Sequence, residues 1–342
     1  MGLAASTASS LRTGPTPRPA RRQTVGGALI RYLGTRALRV VLVFLLVSFA
    51  TVSLTSFTPG DPAVAIAGES ATPEVLTALR KEFGLNKPIV ERWGSWMGDV
   101  VRGDFGKSYT SRQPVMESLR QRLPVTLELA LLATLLTVLL AIPAALLAAY
   151  RQGSAFDRFV SALSAAVISV PGFVIALLLV STLALTFSIF PVSGWVPLSA
   201  NLGENLRSAA LPALTLALGE TAILLPVLRA DVVTTLEQEY IALARAKGIS
   251  SARILFRHAL RPSSVSLVTL LALSLARLFG GAVIVETIFG LPGLGGLLIS
   301  SIRQKDLLLT QGLVMFIATV YLLTNFVVDL AYTRLDPRVR IR

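Results

Sequence analysis

The sequence predicts an all-α polytopic membrane protein with six transmembrane helices and cytoplasmic N- and C-termini. Three observations carry this reading. The chain is 53% hydrophobic and only 15% charged, whereas a soluble domain carries about 25% charged residues; its mean hydropathy is +0.69. Six apolar runs approach the roughly 20 residues that cross a bilayer. The net charge of +13 is concentrated at the ends of those runs. Arg12, Arg18, Arg21, Arg22, Arg31, Arg36 and Arg39 precede the first run. Arg229, Arg245, Lys247, Arg253, Arg257 and Arg261 lie between the fourth and fifth. Arg334, Arg338, Arg340 and Arg342 close the chain. Basic residues near span ends mark the cytoplasmic side, so the charge reads as membrane orientation, with lipid as a partner and nucleic acid not.

Residues 1–35 form a basic segment rich in Ser, Thr and Pro, expected as a disordered cytoplasmic tail. The first span is taken as 36–57, its apolar run extending from about Val40 to Phe57. A cleaved signal peptide competes with it, because Ala63-Val64-Ala65 resembles a cleavage site. The apolar run is longer than the 7–15 residues of a signal core, which favours an uncleaved helix. Pro59-Gly60-Asp61-Pro62 then breaks the chain, and 58–123 reads as an extracytoplasmic helical region. Within it, Thr72 and Pro73 open a helix with the stripe Val75, Leu76, Leu79 and Phe83. A second helix from Pro88 places Ile89, Trp93, Trp96, Met97 and Val100 on one face. That face suits either an interfacial or partner surface or packing on neighbouring spans. A third short helix carries Val115, Met116, Leu119 and Leu123 and stops before Pro124.

The remaining spans follow as a core over 124–342. The second span runs from Pro124 to Tyr150, and the third from Phe159 to Phe187 with a kink at Pro171-Gly172. Residues 191–207 form an outside loop, and the fourth span covers Ala209–Leu228. The fifth span covers Ser264–Phe289, and Gly290-Leu-Pro-Gly-Leu-Gly-Gly follows it outside. The sixth covers Leu313–Tyr332.

Composition excludes much chemistry. There is no cysteine and one histidine, His258, so neither a thiolate site nor a clustered transition-metal site is expected. Gly106-Lys107-Ser108 is not a phosphate loop, because Val101 stands where the first glycine is required and no apolar strand leads in. No catalytic residue, cofactor or metal is assigned. An ion-coupled carrier or an intramembrane enzyme is the alternative class. The first would show repeated halves and several buried carboxylates, for which Glu128 and Glu220 are the candidates. The second would need a Ser–His, paired Asp or HExxH set.

The longest polar interruption in the second half is LEQEYIALARAKGISSARILFRHALRP, Leu236 to Pro262. It reads as two short helices broken at Gly248. Leu236, Tyr240 and Leu243 recur at i, i+4, i+7 as the apolar face of the first. Lys247 followed by Gly248 is the composition of a helix end. Ser250 or Ser251 can cap the second helix, and Pro262 closes the segment.

EYIALARAKG and HALRP resemble the cytoplasmic coupling loop of binding-protein-dependent ABC importers, most closely the B-type permease subunit of the dipeptide/oligopeptide/nickel family. The wider superfamily has Glu where this chain has Ala242; the form Tyr240-x-x-x-Ala244-Arg245-Ala246-Lys247-Gly248 is similar to the peptide branch. PGDP, FGLNKP, GDFGKSYTSRQPV, VETIFGLPGLG and the terminal LDPRVR add to the resemblance, which covers about 36–342. It implies the type I ABC importer permease fold in the bacterial inner membrane. It also implies a heterodimer with a second permease subunit, two ATPase subunits that hydrolyse ATP, and an extracytoplasmic substrate-binding protein. The cargo it implies is dipeptide, oligopeptide, glutathione or a nickel chelate. The loop, taken as 229–262, is implied to dock the ATPase through Glu239, Tyr240, Ala244, Arg245, Ala246, Lys247 and Gly248.

Arg277 lies in the middle of the fifth span. An arginine there costs about 2.5–3.5 kcal/mol on insertion scales, so it is expected off lipid with Glu220 of the fourth span as its partner. It either lines a wet pathway or pins two helices together.

Overall fold

A computed structural model of the chain describes residues 25–57, 61–68 and 71–335. The tail up to residue 24, Pro59-Gly60 of the PGDP break and the terminal segment from Asp336 lie outside the described residues. The described residues form thirteen α-helices, two π-helical stretches and no strand: α1 (Val25–Phe57), α2 (Pro62–Ala67), α3 (Pro73–Glu82), α4 (Ile89–Val101), α5 (Val115–Tyr150), α6 (Ala155–Ser169), α7 (Gly172–Leu179), α8 (Leu202–Leu236), α9 (Glu239–Ala246), α10 (Ser251–Arg253), α11 (Leu260–Phe289), α12 (Leu294–Arg303) and α13 (Leu307–Leu335). Five are long and apolar enough to cross a membrane, and α6 with α7 makes a sixth span if the bent pair is counted as one. Residues up to Arg39 form one unit and those from Val40 another.

Several boundaries differ from expectation. Helix α1 starts at Val25, inside the segment expected to be a disordered tail. Helix α5 runs through Pro124 without a break; in a span, neighbouring helices and side chains tolerate the lost N–H. The kink expected in the third span is a full break of 108°. Val170, before Pro171, is extended at φ −102, ψ 128, as the proline ring demands of its predecessor. Past Leu179 the helix widens to a π-helix over Val180–Thr186, where the Thr186 hydroxyl donates to the Ser181 carbonyl five residues back at 2.8 Å. The fourth span extends over Leu202–Leu236, capped by Asn201, which accepts from the N–H groups of Gly203 and Glu204. Arg229 is therefore helical, and the hairpin begins at Glu237.

The core is built on α5 and α8, which pack along each other, with α11 against both. Ala130, Ala133, Ala141, Ala145, Ala148 and Ala149 of α5 are buried, as are Ala209, Ala213 and Ala217 of α8. Small residues let the backbones approach closely, which is how spans associate without a hydrophobic driving force between them. The Thr137 hydroxyl donates to Ala133 and leans towards the Ala217 carbonyl across the interface, 3.4 Å away. Leu127, Leu131, Leu135 and Leu139, spaced by four, point outward on the opposite face.

In the 58–123 region, the tryptophan face of α4 packs on spans. Trp96 is 7% exposed and clusters with Val52 and Met315. The Trp93 indole N–H donates to Ser48 at 3.0 Å, and its ring meets Phe49 edge-on. The loop before α5 is tied to α13 by buried Asp306, which accepts from the Ser108 hydroxyl and the Tyr109 N–H. Burial pushes the Tyr109 hydroxyl pKa up to about 12, with Asp306 adding to the shift and Arg92 opposing it. Near Pro62, burial would raise the Asp61 carboxyl, but hydrogen bonds from Arg80 and the Ala63 N–H hold it below its ordinary value.

Candidate functional site

Two places combine unusual residues with defined geometry: the hairpin between α8 and α11, and a set of carboxylates inside the bundle.

The hairpin folds over a small core of its own. Ile241, Ala244 and Ile254 are buried together, with Leu236 and Ile249 against them. The face of α9 that turns inward is thus Ile241 and Ala244. Tyr240 and Leu243, expected on that face, are 46% and 56% exposed. The turn explains the choice. Gly248 adopts φ +73. The Ile249 N–H reaches the Ala244 carbonyl at 3.2 Å, and the Gly248 N–H reaches Arg245 at 3.0 Å. This is a Schellman ending, whose apolar contact joins the residue after the glycine to the one five before it. That contact pulls Ala244, and with it Ile241, inward. Burying Ile241 completely contributes about 1.5–3 kcal/mol.

After α10 the chain passes through a π-helical stretch, Ile254–Ala259, into α11. Pro262 has no N–H to offer the His258 carbonyl four residues back. The Tyr240 hydroxyl points at that carbonyl from across the hairpin, at 3.4 Å. Tyr240 and Pro262, 22 positions apart in the sequence, thus meet at one polar group.

The back of the hairpin is anchored to the turn between α5 and α6. Tyr150 and Ser251 hydroxyls share a hydrogen bond of 2.9 Å. Arg229 forms a two-pronged pair with Asp157, at 2.5 and 2.6 Å, and the Gly153 N–H donates to the same carboxylate. Glu239, Arg245, Ala246, Lys247 and Gly248 all remain exposed. With Tyr240, Leu243 and Phe256, which is 60% exposed, they present apolar side chains among cations on an anchored element. Of the positions singled out for docking, only Ala244 is turned inside.

Within the bundle, Arg277 and Glu220 come together. Arg277 Nη2 lies 2.6 Å from Glu220 Oε2, and Nε is 3.4 Å from Oε1. Ser274, one turn before Arg277, donates to the same carboxylate and accepts from Nη2 at 2.8 Å. Glu220 is buried, whereas the Arg277 side chain keeps 39% of its surface open.

A second carboxylate, Glu286, escaped the reading of the sequence. It is fully buried at the end of α11. Thr126 of α5 donates to Oε1 at 2.6 Å, and the N–H groups of Gly295 and Gly296 donate to Oε2 at 2.7 and 3.1 Å. Thr126 accepts in turn from the Leu294 N–H. The glycines that follow Glu286 are a packing requirement: a Cβ at Gly293 would collide with the carboxylate itself, and one at Gly295 with the Val283 backbone. The available signal was an acid ending an apolar run just before GLPGLGG. The Asp157–Arg229 pair gave no such signal, since charges near the ends of spans are ordinary.

Comparison with known proteins locates these features. Residues 141–341 match the model of the binding-protein-dependent transport system inner membrane component, and residues 29–130 match that of its N-terminal membrane component. A protein of Brucella abortus named as a peptide transport system permease is 40% identical over 306 residues, 89% of this chain and 97% of the relative. A peptide ABC transporter permease of Sinorhizobium fredii is 35% identical over 90% of this chain and 99% of its own. The glutathione transport system permease GsiC of Escherichia coli is 30% identical over 92% of this chain and all of its own.

Proposed function

This chain belongs to the family of binding-protein-dependent transport system inner membrane components, and from that premise we propose that it is the permease subunit through which an ABC importer carries peptides. It is a multi-pass protein of the bacterial inner membrane. The cargo reading rests on relatives named for peptide and glutathione transport. In this reading a second permease completes the pathway, two ATPase subunits supply the work and an extracytoplasmic binding protein delivers peptide.

The observation that carries the reading is the anchored hairpin with an exposed apolar face. Tyr240, Leu243 and Phe256 would be costly left in water as a group, and Arg245 and Lys247 beside them suit an acidic rim on an ATPase. The Tyr150–Ser251 bond ties the hairpin to α5, and the Asp157–Arg229 pair ties α8, from which the hairpin continues, to α6. A displacement of the hairpin is then delivered to the spans. The basic hairpin faces the cytoplasm, which puts the 58–123 region outside. Arg277 turns its open side to an aqueous route, because a guanidinium facing hydrocarbon is costly, and Glu220 with Ser274 offsets its charge.

The test is Gly248→Val in the assembled complex. Nothing in this chain lies within 4 Å of a Cβ at this position, so within the permease only the backbone is perturbed. A left-handed conformation costs an L-residue about 1–2 kcal/mol, more for a β-branched one. Substrate-stimulated ATP hydrolysis should fall severalfold with assembly intact, and Gly248→Asn should fall less because Asn tolerates this region. Unchanged coupling in the valine variant would remove the hairpin as the docking element.

A further inference from the structure

Two clefts meet at Arg122, near the start of α5. One, of about 680 Å³, is lined by Glu128 of α5 and by Trp195 and Leu198 of the segment before α8. The other, of about 490 Å³, is lined by Arg303 of α12. Arg122 and Pro292 belong to both. Each volume falls in the range of small-molecule sites, roughly 300–1,000 Å³. Most carboxylates of the bundle are paired, and the one besides Glu128 with an orphaned buried oxygen among the described residues, Asp231 of α8, lines neither cleft. Asp157, Glu220, Glu286 and Asp306 all have protein partners. Glu128 has none among the described residues, and its Oε1 is buried without a hydrogen bond. No hydrogen bond or ion pair to a described residue engages Arg122 or Arg303 either.

Uncommitted charges of opposite sign, walled by an indole and a leucine, form a recognition pattern. A carboxylate left unpaired beside apolar walls is costly, and an ammonium group placed there offsets the cost. Arg122 and Glu128 are six residues apart on one helix, roughly 9 Å along its axis. The termini of an extended dipeptide lie roughly 7 Å apart, and those of a tripeptide roughly 10 Å. Building on the cargo reading above, we propose that this double cleft is a peptide subsite in the permease itself. Glu128 takes the α-ammonium group and Arg122, with Arg303, takes the terminal carboxylate of a short zwitterionic peptide. Trp195 and Leu198 receive its side chains without selecting among them. The site selects for free termini and short length, and is permissive in sequence.

The test uses the assembled permease–ATPase complex in lipid nanodiscs without its binding protein, probed by fluorine NMR with 3-fluoroalanyl-alanine, its N-acetyl derivative and its C-terminal amide. The free dipeptide should broaden on addition of the wild-type complex. Glu128→Gln, isosteric and uncharged, should weaken the free dipeptide at least fivefold and leave the N-acetyl derivative unchanged. Arg122→Gln should do the same for the carboxylate and spare the amide. The subsite is overturned by no broadening with the wild-type complex, by equal binding in both variants, or by loss of the signal only when phosphatidylethanolamine is added, which would make it a lipid headgroup site. A separate arm measures ATP-driven uptake of di- and tripeptides by the complete transporter in vesicles. No uptake by the wild type overturns the cargo reading and the subsite with it. Uptake that both variants retain at wild-type rate and affinity overturns the subsite alone.

Discussion

Replacing Glu286 by alanine removes the acceptor on which three donors converge: the Thr126 hydroxyl and the N–H groups of Gly295 and Gly296. Thr126 and Gly295 lie in the interior where α5, α11 and α12 meet, where water cannot readily replace the carboxylate, whereas the Gly296 N–H borders the smaller cleft and can be hydrated. Each buried donor left unpaired costs about 1–3 kcal/mol. The carboxylate's own desolvation is relieved, so the net loss is less than the sum of the three and resembles that of breaking a buried pair, about 3–5 kcal/mol. Glu286→Gln keeps the shape and one acceptor oxygen. Thr126 can rotate to accept from the new amide, leaving roughly one donor unpaired, at about 1–2 kcal/mol. The assay is thermal denaturation of the purified complex. At roughly 2–4 °C per kcal/mol for a domain of this size, alanine should lower the midpoint by about 10 °C and glutamine by a few degrees. Two variants as stable as the wild type, or glutamine as damaging as alanine, would refute the reasoning.

At the hairpin's base, Asp157→Asn and Arg229→Gln should each destabilise the complex by about 2–4 kcal/mol, because either leaves a largely buried ionic partner behind. A double-mutant cycle on thermal stability should show a coupling above about 1 kcal/mol, and additivity would contradict the anchor. At Arg277, a cysteine probed with a small charged thiosulfonate should be modified in at least one of the inward- and outward-facing states. Protection in both would leave Arg277 as a helix pin and no more.

The apolar runs made the spans legible, because chain length against bilayer thickness is a one-dimensional constraint. The places where the reading failed are those where two or more segments decide together. The stripe Leu236, Tyr240 and Leu243 assumes one continuous helix, but Leu236 ends α8 and α9 starts afresh at Glu239, and within α9 Ile241 and Ala244 share the i, i+3 spacing of Tyr240 and Leu243. In a helix this short and this apolar, the Schellman contact with Ile249 chooses between them, not the period. Tyr240 and Gly248 were legible as motif residues, whereas Phe256 was hidden among the cations of FRHALRP. Glu220 and Arg277 could be matched because each stands alone in an apolar run. Asp157 is in the first turn of α6 and Arg229 about two turns before the end of α8, near the ends of the apolar runs where charges are ordinary, so nothing in the sequence pairs them. Helix α12 was missed because GLPGLGG reads as a loop; its start is held by Glu286, a partner from the preceding helix.

The central claim is that the exposed face of the hairpin is where an ATPase subunit docks. The chain has no cysteine, so single cysteines at positions 241 and 243 can be compared directly. Each is treated with a maleimide that carries a benzophenone, assembled with the ATPase subunits, irradiated in the nucleotide-free and ATP-bound states, and scored for an adduct between permease and ATPase. The account predicts an adduct from Leu243→Cys and none from Ile241→Cys, whose side chain is sealed inside the hairpin. No adduct from position 243 in either state, with the complex intact, would contradict it.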